Sequence, residues 1–191
     1  MGLLLLLGIG VGIGAFAFKK GEKAAVEKEL EHAAKKPLKI HGTEPFDHLL
    51  GLFAGGERTE LKTKHPELVN KAKAIISAVS ARAERGVFPA ITSEQLSALY
   101  NIARTPGPSL DKNLGSARGD VTEPLEFLGA LILGPGYEGV FFKKATDAEK
   151  QAIKVMGATI NNRWMNKVAP PVTKDMLKTF YSINMKIRSR I

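Results

Sequence analysis

The chain has 191 residues, 28 lysines and arginines against 19 aspartates and glutamates, and a formal net charge of +9. That length suits one domain with a sizeable core, and 44% hydrophobic with 25% charged residues excludes wholesale disorder. Cysteine is absent, which excludes disulfides, thiolate metal sites and a cysteine nucleophile. The positive surplus points to an acidic partner: nucleic acid, anionic lipid or an acidic protein.

Residues 1–18, MGLLLLLGIGVGIGAFAF, carry no charged side chain. As a helix they would extend roughly 27 Å, enough for a thin bilayer, and Lys19 and Lys20 end the run. Gly8 with Gly12, and Gly10 with Gly14, form two overlapping small-x-x-x-small pairs. On a helix such a face admits close approach of a second helix, so the segment is a candidate for self-association. A myristoylation pattern fails at Leu6. A dinucleotide-binding reading fails because no strand–helix–strand pattern follows. Ala15-Phe16-Ala17 has the small-x-small form of a signal-peptide cleavage site. No Lys or Arg precedes the leucines, however, and residues 19–39 carry seven Lys against four Glu. The positive-inside bias therefore favours a retained single-pass anchor with the body on the cytoplasmic or virion-interior side.

Beyond the anchor the pattern is mainly α. Residues 19–40 read as a charged helical stalk, with Val26 and Leu30 on a thin apolar stripe ended by Pro37, and residues 41–191 as a compact domain of five to six helices. Thr43 is the expected cap of a helix through Phe46, Leu49, Leu50 and Phe53 that stops at Gly55-Gly56. Pro66 to Arg85 is a helix with Val69, Ala72, Ile76, Val79 and Ala83 on one face. Thr92 with Gln95, and Thr146 with Glu149, are spaced as capping boxes. Between them, residues 105–121 are turn-formers, Thr122 is expected to cap a helix through Leu125, Leu128, Leu131 and Ile132, and residues 139–144 read as a short extended piece. Thr173 caps a last helix after Pro170-Pro171.

No linear signature selects a catalytic site. His41, Glu44, Asp47 and His48 are a cluster with ligand-type side chains, but the spacing of a zinc hydrolase is missing and no metal or cofactor is expected. Among carboxylates, Glu44, Glu57, Glu94 and Glu126 are candidates, yet nothing pairs them. The softened anchor invites comparison with phage endolysins that use a releasable signal anchor. Their Glu, acid, Thr pattern fails here, since Glu44 leads to Phe53 and Glu138 to Asp147 but then to Ile153. Arg118-Gly119-Asp120 matches an integrin-binding tripeptide, a match common by chance in a turn-rich loop.

The charge has an address. Residues 150–191 contain nine cations, Lys150, Lys154, Arg163, Lys167, Lys174, Lys178, Lys186, Arg188 and Arg190, against the single acid Asp175. In the last helix Met176, Phe180, Ile183 and Ile187 share a face, leaving the lysines to project from the flank. The reading is a non-enzymatic, membrane-anchored structural or assembly protein, such as a virion component. It would contact the lipid bilayer and other subunits of a large complex, and offer a basic C-terminal surface to nucleic acid or anionic lipid. An exported cell-envelope hydrolase and a nucleic-acid-packaging component are the alternatives.

Overall fold

The computed structural model describes residues 20–55, 59–105 and 121–191, with side chains from residue 25 and, after the first break, from Leu61. The segment expected to be an anchor, with Gly8, Gly10, Gly12, Gly14 and Lys19, and the tripeptide at 118–120 lie outside the described residues. Among those described, all regular structure is helical. In chain order the helices are α1 (Lys20–Ala33), α2 (Glu44–Ala54), α3 (Thr59–Lys64), α4 (Pro66–Glu84) and α5 (Ser93–Arg104). They continue with α6 (Thr122–Leu133), α7 (Tyr137–Lys144), α8 (Asp147–Met165) and α9 (Lys174–Arg188).

Eight of these lie within 41–191, two more than the sequence pattern suggests. One addition is α3, a single short helix that buries Leu61. The other is α7, which replaces the extended piece expected at 139–144. Its aromatic and β-branched residues favour a strand locally, but Tyr137, Val140 and Phe141 recur at helical spacing and pack into the interior. Both expected capping boxes are formed, and Thr173 accepts from the Met176 N–H. Two other expected caps are not: the Thr43 hydroxyl donates to Asp47 instead, and Thr122 is the buried first residue of α6.

The interior is organised around α6. Leu125, Leu128, Leu131, Ile132 and Leu133 are buried between α2, α7 and α9, and Phe46 meets Phe127 edge to face at 4.9 Å. A helix this buried cannot leave its last four carbonyls to water. Each has a donor: Gly134 N–H for Ala130, Ala90 N–H at 2.7 Å for Leu131, and the Arg188 guanidinium at 3.4 and 3.2 Å for Ile132 and Leu133. Arg188 also stands over the Phe88 ring at 5.8 Å.

No single helix among the described residues is long and apolar enough to cross a membrane. Together α6 and α7 have the composition for it, but they are bent by 75° and α6 is spent on the core.

The segment expected to be a solvated stalk is joined to the body. Ala34 is buried with Leu133, Val140, Phe141, Ala145, Ile183 and Ile187 in a second, smaller apolar cluster. The turn after α1 crosses two glycines in the left-handed region, Gly86 (φ +71) and Gly134 (φ +103). A Cβ on Gly134 would collide with the Ala34 carbonyl, so only glycine permits this approach. Leu38 N–H then bonds to the Ala83 carbonyl at 2.9 Å. Gly134→Ala is expected to cost about 2–4 kcal/mol and to loosen α1 from α7. Urea denaturation and hydrogen exchange over residues 30–38 would check this, and unchanged protection there would contradict it.

Candidate functional site

The nine C-terminal cations do not form one surface. Helices α8 and α9 run antiparallel: Glu149 in the first turn of α8 pairs with Arg190 beyond the end of α9, while Arg163 in the last turn of α8 reaches the connector. Lys150, Lys186 and Arg190 therefore sit at one end of the pair and Lys167 and Lys174 at the other, roughly 20 Å away, with Lys154 and Lys178 between.

They also divide by residue type. Arg163 donates two hydrogen bonds to the Pro170 carbonyl at 3.0 and 2.7 Å. Arg188 closes α6, and Arg190 bonds the Lys144 carbonyl at 3.2 Å and both Glu149 carboxylate oxygens at 2.7 and 2.8 Å. Arg82, Arg85 and Arg104 likewise donate to the carbonyls of Pro89, Ala81 and Ala54. Every arginine among the described residues thus bonds a main-chain carbonyl, a use that suits a planar fork of donors. Arg163, Arg188 and Arg190, expected to bind an external anion, are committed to the fold. The lysines remain outside. Lys154, Lys167, Lys174, Lys178 and Lys186 are exposed, Lys178 and Lys150 having only Asp175 and Asp147 at 4.0 and 3.7 Å. Such exposed pairs contribute little and leave the charge available.

At the first of these ends α1 joins the C-terminal pair. Glu31 and Glu27 of α1 face Lys144 at 2.9 and 3.5 Å, Leu30 lies against Gly139, and Ala33 lies against Gly136. Helix α1 therefore runs antiparallel to α7, and its start at Lys20 points past Lys144. The Lys144 contact holds the Glu31 carboxyl below its ordinary range and raises the ammonium. Three helix termini meet here, the ends of α7 and α9 and the start of α8, tied together by Arg190.

A groove of about 410 Å³ opens elsewhere, running along α6 between the first turn of α2 and the first turn of α7. Pro45, Pro124, Phe127 and Ala130 supply apolar wall, and His48, Glu123, Glu126, Tyr137 and Glu138 stand around it. His48 lies 3.9 Å from both Glu44 and Glu123. Its neighbour across the groove is on another helix, which no local spacing reveals; the only sequence trace is two Glu-Pro pairs, at 44–45 and 123–124, each opening a helix. The first-turn acids answer the helix dipoles. Burial and the nearby Glu126 raise the Tyr137 hydroxyl far above its ordinary range, so the rim gains no extra charge from it. Among the described residues no three His, Asp or Glu side chains are grouped to hold a metal ion.

The hydrogen-bonded Arg190 guanidinium pulls the Glu149 carboxyl from 4.5 down to about 2. A folded-state value below the unfolded one means the pair contributes fully above pH 4.5 and is lost as pH falls towards 2. Arg190→Ala is expected to lower stability near neutrality by a small amount, because the guanidinium is exposed and screened by solvent. Urea titrations should show that difference shrinking over the same acid range; a constant difference would contradict the assignment. No family model, curated protein or solved structure matches this chain.

Proposed function

We propose that the protein is a membrane-tethered helical structural protein, held by residues 1–18 and contributing to a larger assembly rather than catalysing a reaction. The observation that carries this reading is the attachment of α1 to the body. The helix that follows the apolar segment is fixed along α7 by Glu31–Lys144, by the buried Ala34 and by the close approach at Gly134. A tether entering through α1 would therefore hold the domain in a set orientation. The end of the molecule it points past carries Lys143, Lys150 and Lys186 in exposed or half-exposed positions. Lysines near an anionic leaflet each add roughly 1 kcal/mol of attraction. Lipid headgroups suit this arrangement better than a nucleic-acid strand, which favours a continuous basic groove, whereas these cations fall at two separated ends.

The test is flotation of the full chain with phosphatidylcholine vesicles, followed by high salt and carbonate. The wild-type chain should stay with the vesicles, and Leu4→Arg/Leu6→Arg should be extracted. With phosphatidylserine added, that variant should regain partial binding, which Lys143→Glu/Lys186→Glu then removes. Extraction of the wild-type chain would overturn the proposal. So would a mature N-terminus after Ala17, which would favour the exported hydrolase.

A further inference from the structure

Two features of the surface complement one another. One is the groove between α2, α6 and α7, with apolar wall at Pro45, Pro124 and Phe127 and the carboxylates Glu123 and Glu138 at its mouth. The other is the turn that ends α8. Met165 is 62% exposed and Val168 41% exposed, an uncommon placement for large apolar side chains, and Lys167 stands exposed between them. The turn is closed by Lys167 N–H to the Trp164 carbonyl at 3.0 Å and Val168 N–H to the Arg163 carbonyl at 2.8 Å. That bonding puts Lys167 in the left-handed region, φ +56, the one non-glycine residue so placed among those described. Glycine or asparagine normally takes this position, since a Cβ there is sterically opposed. A lysine there projects a cation outward from the end of the helix, flanked by two apolar groups.

The two features do not meet within one copy, since Met165, Lys167 and Val168 are all exposed. Phe46 of α2 touches Phe127 at the groove, whereas Phe53, two turns on, touches Tyr100, whose hydroxyl bonds the Val172 carbonyl in the connector that follows the α8 turn. We infer that the Met165–Lys167–Val168 turn of one copy docks in the Pro45–Phe127 groove of a second copy, with Lys167 against Glu123 and Glu138. Such a contact uses different patches on the two partners, so it propagates head to tail into a ring or filament. It rests on the assembly role proposed above and is independent of the membrane tether.

Charge exchange tests it in the full-length chain, held in detergent and followed by sedimentation velocity. Lys167→Glu should weaken self-association at least ~tenfold, and Glu123→Lys/Glu138→Lys should do the same, because each sets like charges face to face. Mixing those two variants should restore assembly, since both contacts then pair opposite charges. Lys167→Gly should raise the melting temperature by relieving the left-handed lysine, yet weaken association. Vesicle flotation should be unchanged in all of them, and a wild-type chain that assembles but does not float would count against the tether alone. Association unaffected by either substitution, or a mixture that fails to reassemble, would overturn the inference. Flotation lost in Lys167→Glu with assembly intact would also overturn it, and would give the turn to the lipid surface.

Discussion

Burying a helix end obliges the rest of the chain to supply donors for its free carbonyls, and in this protein the end of α6 sets that obligation. Its last four carbonyls are answered by Gly134, by the Ala90 N–H from the loop before α5, and by Arg188 at the close of α9. Those donors place α9 and the α4–α5 connection on opposite claims to the same few atoms. The next residue, Gly134, is where α1 crosses.

This constraint redistributes the charge that dominates the sequence. Arginine and lysine contribute equally to a net charge of +9, but the fold does not treat them alike. Arginines reach main-chain carbonyls, where five donors in a rigid fork satisfy groups that would otherwise be orphaned. The C-terminal lysines stay at the surface, Lys150 and Lys178 with weak aspartate pairs, whereas Lys144 is held by Glu27 and Glu31. Of the C-terminal cations, the lysines remain for partners, split between the end beside α1 and the end formed by the α8–α9 turn. The first suits a leaflet next to the tether; the second suits an acidic groove.

Much of the helical pattern was legible in the sequence because its causes are local. Thr92–Gln95 and Thr146–Glu149 cap their helices as the spacing implies, and the apolar stripes of α4, α5, α6 and α9 face inward. The failures share a cause at long range. Helix α7 forms because Tyr137, Val140 and Phe141 find cover from α1 and α9, which an eight-residue window cannot contain. Arg188 and Arg190 read as free cations because their acceptors lie more than forty residues earlier. The groove joins His48 to Glu123 across most of the domain, so its carboxylates look like separate helix caps until the helices pack.

The most direct test of this division of labour is the unfolding free energy of Arg188→Lys in urea, which keeps the charge and removes the fork. If arginine geometry rather than charge closes α6, the variant should lose about 1–2 kcal/mol, because a lysine stem ends one bond short of the Nη1 that bonds both the Ile132 and Leu133 carbonyls and has no guanidinium plane to stand over Phe88. A variant as stable as the wild type would contradict the account, and would return Arg188 to the pool of cations free to bind a partner.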